Sequence, residues 1–413
     1  MMSRGRLVVG IPFLFWVLMA VTIVVWALHP GYVVGWDLDV YHKAMLAVRS
    51  GHDPYLSCVA VRKTYFDHLA EHPSAPRPFG YVYPPITLPL LHALLKWPTA
   101  VLEAGYWMLD AAGIAGVLWV STFAIRREEW KAFVFLVPAA LFFPGLLESD
   151  PVFSGNVAYI VDGMIFAGAL VGWRTARWRW FYGAVLVASL IKPTFLCYLG
   201  IPLLTATGQW APALATAAVS GVVNLGQAWV WPVEFGRYRM SLQSQVVDYV
   251  HDFGVHPAGV LADALYDRVP FRLTFAVLYG VCAVLFGWML LRLRGRFLRG
   301  EISLKEWVPV VLIGVTFLNP RIMQYDLLVV TVPMALVAWR VLHRVVKRRG
   351  KVIAAMSVGF VGLNVAANYG WAQTECLLLV AMLGAGSWML WGPVRVRVRE
   401  RARVRGMEDA VGV

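Results

Sequence analysis

Eleven apolar runs follow one another along the chain, near 7–28, 101–125, 133–147, 157–173, 181–206, 213–231, 271–291, 307–319, 325–339, 352–368 and 375–392. About 20 apolar residues carry a helix across the hydrocarbon core of a bilayer. The shorter runs fit only as tilted or protein-buried helices within a bundle of many spans. Composition agrees, with 59% apolar and only 15% charged residues, where a water-soluble domain carries about 25% charged residues. The 19 Trp, 21 Phe and 16 Tyr suit the headgroup level of a membrane, where amphipathic rings settle. A soluble multidomain enzyme, a disordered chain and a repeat solenoid are excluded. The expected fold is an all-α polytopic membrane protein.

Charge then orders the runs. The segment Leu7 to Leu28 follows Arg4 and Arg6 and reads as a retained first span rather than a cleaved leader. If the N-terminus lies inside and 181–206 crosses once, Arg292, Arg294, Arg296, Arg299 and Lys305 fall outside, against the positive-inside rule. A break at Lys192-Pro193 restores them to the cytoplasm. Proline removes a backbone donor and pushes the preceding residue out of the helical region. The reading is therefore about twelve transmembrane helices with both termini cytoplasmic. Residues 1–393 form one membrane domain, and 394–413 form a basic tail. Cytoplasmic segments then hold 25 basic and seven acidic residues, so the net +13 divides into +18 inside and −5 elsewhere. The basic balance reports topology, and no nucleic-acid partner is implied. The Arg-rich tail fits a segment held by anionic lipid.

Cys58, Cys197, Cys282 and Cys376 lack the spacing of a zinc or redox motif, and His251 with His256 lacks a helical ligand spacing. No metal site is expected. Two extracytoplasmic loops have room for chemistry, 29–100 and 232–270. The second carries Arg237, Arg239, Gln243, Gln245, Asp248, Asp252 and the two histidines, as an ordered loop over a site mouth would. The first opens with GWDLDVY, which places Asp37 and Asp39 just past the first span. Carboxylates so near lipid are costly and tend to be functional. On an extended segment the two would point to opposite sides. Asp39 then suits the N-cap of an amphipathic interfacial helix over 41–50, and Asp37 suits a cavity. SGHDPY (50–55) reads as a turn. GYVYPP (80–85) leads into an apolar stretch too short to span, as a re-entrant helix would be.

These elements carry a family resemblance. D-L-x-V-Y after the first span, G-x-D-P-Y at 51–55 and Y-x-Y-P-P at 81–85 resemble the polyprenol-phosphate-mannose-dependent α-(1→2)-mannosyltransferases of bacteria. These belong to the GT-C superfamily of integral-membrane glycosyltransferases. SGNVAYIVDG (154–163), IKPTF (191–195) and NPRIMQYDLL (319–328) are similar to later elements of that family, in order and on one side of the membrane. The usual Gln of the G-Q-x-N segment is missing here. Tyr325-Asp326 stands where many relatives carry His.

The resemblance implies a GT-C-like fold and an enzyme of the cell membrane that works on its extracytoplasmic face. A polyprenyl-phosphate sugar, most simply mannose, would be the donor, and a glycolipid or envelope glycan the acceptor. Asp37 corresponds to the base, and no cofactor is required. Lys192 and Arg321 are the candidates to bind the donor phosphate. Asp39, Tyr41, Tyr55, Tyr83, Asn156, Tyr325 and Asp326 are candidates to line the sugar and acceptor site. Asp326 could pair with Arg321, and Asp162 is the buried acid that could pair with Lys192. The competing classes are a twelve-span secondary transporter, with Lys192-Pro193 as a broken helix, and a lipid-linked sugar flippase. No internal repeat between the halves favours the transporter.

Overall fold

A computed structural model describes residues 35–56, 80–130, 154–244, 254–266, 268–346 and 348–392, with residues 21 and 132 besides. The first span, the 133–147 run, Cys58, His251 and the basic tail lie outside the described residues. Among the described residues every regular element is a helix and none is a strand. They are α1 (Trp36–Arg49), α2 (Leu88–Leu94), α3 (Thr99–Ser121), α4 (Val157–Thr175), α5 (Arg179–Ile191), α6 (Gly200–Thr205) and α7 (Trp210–Val230). Then follow α8 (Pro232–Leu242), α9 (Pro257–Ala264), α10 (Phe271–Leu298), α11 (Leu304–Thr316), α12 (Leu328–Val345) and α13 (Arg349–Trp391).

Among the described residues six helical segments are long and apolar enough to cross a membrane: Thr99–Ala124, Val157–Thr175, Trp210–Val230, Phe271–Leu298, Gln324–Val345 and Tyr369–Trp391. Three shorter apolar segments, Pro85–Leu94, Arg179–Ile191 and Pro193–Thr205, join them. Helix α12 is almost wholly buried, whereas α10 presents Leu273, Val277, Val284, Leu285 and Trp288 outward. That is the pattern of a central helix and a peripheral one in an apolar solvent.

Two reversals set the architecture. Helix α5 ends at Ile191, where Lys192 is extended (φ −144°, ψ 102°) ahead of Pro193. The chain continues as a 3-10 turn, Pro193–Leu199, and then α6. Trp173, at the end of α4, donates to Thr205 Oγ1 (3.2 Å), and Tyr182 near the start of α5 donates to the Gln209 carbonyl (3.3 Å). Both feet of the 179–205 segment therefore rest at one end of the bundle, and Lys192 sits at its turning point. Helix α13 likewise bends at Gly370, whose φ of 177° and ψ of 78° are not helical. Arg344 donates to the Met389 carbonyl (2.8 Å), and Arg349 and Met389 line one cavity, so its two legs run antiparallel.

The bundle's two ends differ in charge. At one end, Arg340 makes a buried fork with four of its five N–H groups: Nε to Glu129 Oε1, Nη2 to Glu129 Oε2 and the Ala124 carbonyl, and Nη1 to the Lys305 carbonyl, all at 2.8 Å. Arg126 pairs with Glu306 and Arg296 with Glu301, each at 2.6 Å, and Lys305 donates to the Ile125 carbonyl (3.1 Å). Arg126, Arg296, Lys305 and Arg340, which the sequence assigns to one side, thus meet at one end of the described helices. The polarity of the other end is of a different kind, and it forms the candidate site.

Helices α3 and α4 hold that site together. A Cβ on Gly113 would come within 2.3 Å of the Tyr159 carbonyl, and one on Gly163 within 2.6 Å of Gly113 Cα. Small residues let helix backbones approach where apolar burial alone gives no drive in lipid. This contact fixes the start of α4 beside α3, and Tyr106 of α3 donates to the Gly155 carbonyl (2.7 Å).

Candidate functional site

Helix α1 begins at Trp36, not at residue 41, and its N-cap is Gly35 (φ 78°). Asp39 is therefore not a cap. It lies in the first turn, exposed, and pairs with Lys43 one turn on (2.5 Å). Asp37 and Asp39 do diverge as expected, but for a different reason. Two residues on a helix are about 200° apart around its axis, so Asp37 turns inward while Asp39 faces out.

Asp37 is held from two sides by the entry to α4. Its backbone N–H donates to the Ser154 carbonyl (2.9 Å), and Asn156 Nδ2 donates to its carboxylate Oδ2 (2.9 Å). The same Asn156 is the N-cap of α4, its Oδ1 accepting from the Ala158 N–H (2.9 Å). Gly155 makes this possible. Its φ of 67° lies in the left-handed region, and a Cβ there would meet Leu38 Cβ at 3.1 Å. The GN pair of the SGNVAYIVDG segment is thus a device that caps a span and grips the aspartate with one side chain.

Lys192 reaches into the same region from the turning point of the 179–205 segment. Its Nζ lies 3.3 Å from Asp326 Oδ1 and 4.5 Å from the ring centroid of Tyr325. Asp326, the acid that the sequence would pair with Arg321, is thus the partner of Lys192, and Asp162 is not. Asp326 Oδ2 also accepts from Asn319 Nδ2 (3.2 Å) and the Met323 N–H (2.9 Å), which fixes the loop entering α12. Asn319 Oδ1 in turn accepts from the Arg321 N–H (3.1 Å). Desolvation pushes the Asp37 carboxyl above its ordinary range; the Asn156 hydrogen bond and the charges of Lys192 and Arg321 act against that push. Lys192 and Arg321 are thus near enough for their charges to act on Asp37.

Tyrosines complete the wall. The hydroxyls of Tyr41 and Tyr83 bond each other (2.7 Å), and Tyr41 accepts from the Val157 N–H (3.2 Å). Their rings, with Tyr106, pack at centroid distances of 5.4 and 5.9 Å. Tyr55 does not reach the site: it is fully buried and donates to the Tyr83 carbonyl (2.9 Å). Asp37, Tyr41, Tyr83, Lys192, Arg321 and Tyr325 all remain partly accessible, while Ser154, Asn156, Asn319 and Asp326 behind them are buried. An accessible reactive layer thus rests on a buried hydrogen-bonded support.

An apolar cavity of about 480 Å³ leads to this layer between α1, α2 and α3. Leu90, Trp97, Val101 and Leu109 line its open flank, and Tyr41, Tyr83, Tyr106, Val157 and Ile191 its inner end. Ile191 immediately precedes Lys192. Of the second loop, His256 caps α9: its Nδ1 accepts from the Ala258 N–H (3.0 Å) and its Nε2–H donates to the Phe317 carbonyl (3.2 Å). Burial lowers this ring to about 4, so it is neutral and structural.

Sequence reasoning missed Tyr106, Ser154 and Asn319. Tyr106 lies inside an apolar run, where an aromatic residue reads as packing. Ser154 contributes a backbone carbonyl, which no side-chain pattern reports. Asn319 heads the NPRIMQYDLL segment and is visible only as a motif residue. No protein-family profile, no curated protein and no solved structure matches the chain.

Proposed function

We propose that the chain is an integral-membrane inverting glycosyltransferase. It moves mannose from a polyprenyl-phosphate donor to a glycolipid or envelope-glycan acceptor at the extracytoplasmic face of the cell membrane. In this reading the chain crosses about twelve times in a GT-C-like arrangement. The arginine-rich end with both termini is cytoplasmic, and the Asp37 end faces out.

The observation that carries the reading is the conjunction at Asp37. A partly accessible carboxylate lies within the field of two cations, Lys192 and Arg321, and an apolar cavity ends at the adjoining Tyr41, Tyr83 and Ile191. Each part answers one demand of lipid-linked sugar transfer. The cavity suits an isoprenoid tail arriving sideways from the bilayer, and the cations suit its phosphate. Asp37 suits the proton of the acceptor hydroxyl. The acceptor oxygen attacks the anomeric carbon from the face opposite the phosphate and forms the new glycosidic bond. The bond from the anomeric carbon to the phosphate oxygen breaks, its electron pair leaving with polyprenyl phosphate. The hydroxyl proton passes to Asp37 Oδ. Lys192 and Arg321 offset the charge that builds on the leaving phosphate. Desolvation raises Asp37 toward working pH and so strengthens it as a base. The Asn156 amide orients it.

Replacing Asp37 by Asn keeps size and the hydrogen bond to Asn156 but removes the base. In membranes supplied with polyprenyl-phosphate mannose and an alkyl α-mannoside acceptor, transfer should fall about 10²- to 10⁴-fold. Undiminished transfer by Asp37→Asn would sink the mechanism. A carrier with a helix broken at Lys192 is the second reading. Proton- or sodium-driven sugar uptake into vesicles, with no transfer, would establish it instead.

A further inference from the structure

The second external segment is tied to the first at two points through α8, and α7, which leads into it, adds a third. Arg237 of α8 pairs with Asp53 Oδ2. Ser241 Oγ donates to the Tyr81 carbonyl (2.8 Å), and the Ile86 N–H donates to Gln227 Oε1 at the end of α7 (2.8 Å). Between them lies a small core apart from the main one, of Val40, Ala44, Tyr55, Tyr81, Leu91 and Tyr238.

Asp53 is the informative member. Its Oδ1 accepts from the Tyr55 and Leu56 N–H groups (2.7 and 3.0 Å), which closes the turn at GHDPY, while its other oxygen takes Arg237. The turn carries Tyr55. Tyr55 donates to the Tyr83 carbonyl, the Tyr83 hydroxyl meets that of Tyr41, and Tyr41 accepts from Val157, next to the Asn156 that holds Asp37. A series of hydrogen bonds thus runs from α8 to Val157 and passes through the adjoining Asn156 to the carboxylate, linking different segments at its joints. The turn alone needs only Oδ1, so the ion pair adds something the turn does not require. Asp53 is largely covered and Arg237 half-buried, so the pair fixes where the turn that carries Tyr55 sits against α8.

We infer that Arg237 and Asp53 form a positioning pair through which the second external segment sets Tyr83, Tyr41 and Asp37 in register for the acceptor. The inference rests on the proposed transfer reaction for its kinetic consequence, and on the hydrogen-bond series alone for its structural one. A displacement of about 1 Å at a reacting centre can lower turnover about 100-fold.

The experiment compares Asp53→Asn, Arg237→Gln and the double variant of the full chain in lipid nanodiscs. Asp53→Asn keeps an Oδ1 acceptor for the turn bonds and loses the ion pair. Hydrogen exchange should quicken at the Asp37 and Val157 amides, which sit on other elements, with the midpoint of thermal unfolding nearly unchanged. With polyprenyl-phosphate mannose and an alkyl α-mannoside, kcat should fall about 10- to 100-fold. KM for the donor should hold, the double variant should lose no more than either single, and Arg237→Lys should recover part of the rate. Exchange changes confined to 53–56 and 232–242, or losses that multiply in the double variant, would overturn the pair's role. If wild type transfers no sugar while exchange still propagates to Asp37, positioning stands and the transfer reading fails.

Discussion

Two charged clusters lie at opposite ends of the same bundle, and their geometry differs in kind. Around Glu129 and Arg340 four of the five guanidinium N–H groups are used, on two carboxylate oxygens and two carbonyls at 2.8 Å, and Glu129 also accepts from the Arg126 N–H (2.8 Å). Around Asp37 the contacts are looser. Lys192 stands 3.3 Å from Asp326 and keeps part of its side chain accessible. Asp37 is gripped by one amide, and its charge is opposed by desolvation. Buried charge at the first end is saturated by the protein. At the second, Asp37, Lys192 and Arg321 stay partly accessible, and the apolar cavity ends at the adjoining Tyr41, Tyr83 and Ile191. The comparison also locates pH sensitivity: the Arg340 fork holds Glu129 below its usual range, whereas Asp37 sits above its own.

Breaking the saturated end should have the largest effect on folding. Arg340→Ala would leave Glu129 buried without its cation, at a cost of about 3–5 kcal/mol. The expected outcome is a large drop in folded yield and unfolding temperature, with unchanged turnover per folded molecule. Replacing both partners by Leu and Met should recover much of the stability, since a buried pair can be exchanged for apolar packing at little loss. A turnover defect in that double variant would show that the two ends are not separable.

At the open end the same kind of truncation should touch rate rather than fold. Arg321→Ala removes a cation that faces Asp37 and, in the proposed reaction, the phosphate. By analogy with a lost transition-state donor, kcat should fall about 10²- to 10³-fold, with the unfolding midpoint near that of wild type. A variant that loses donor affinity but keeps kcat would place Arg321 in ground-state binding instead.

Asn156→Ser separates two duties of one side chain. Serine can still cap α4, so stability should change by less than the ~1 kcal/mol typical of a lost cap. The amide that favours the charged carboxylate is gone, so the Asp37 pKa should rise further. Because the base must be ionised, the acid limb of the pH–rate profile should move to higher pH. The sign for stability is the reverse: a carboxyl raised in the folded state favours folding at low pH, and that contribution is lost as pH rises through the folded pKa. An acid limb that stays in place would remove Asn156 from the control of Asp37.

Much of this layout was legible in sequence, and the exceptions have physical causes. The break at Lys192 followed from proline chemistry together with the requirement that arginines share a side, and the helix does end at Ile191. The short helix after GYVYPP followed from run length. The start of α1 did not, because a glycine N-cap in the left-handed region carries no side-chain signal. Partners across the chain were also hidden. Asp326 takes Lys192 rather than Arg321, and Asp53 takes Arg237, because these pairings depend on how the segments pack and no local spacing encodes them. Tyr55 looked like a pocket residue by motif, yet packing against Tyr81 and Tyr238 places it beneath the wall.

The smallest expected effect sharpens the comparison most. Asp39 stands two residues from Asp37 in the same turn, with the same carboxylate, but it is exposed and its partner Lys43 is more exposed still. An i, i+4 pair in that setting contributes about 0.3–0.5 kcal/mol, and an acid in the first helical turn adds a similar amount. Asp39→Ala should therefore shift the unfolding midpoint slightly and leave transfer, its pH profile and donor affinity as in wild type. Asp37→Ala in the same assay should abolish transfer with a comparable midpoint. The reverse ranking would mean that α1 turns its other face to the substrate, and that the cavity bounded by Tyr41 and Tyr83 is not the path to the reacting carbon. Because one helical turn holds both residues, the pair reads out orientation alone, with charge, sequence distance and membrane depth nearly matched.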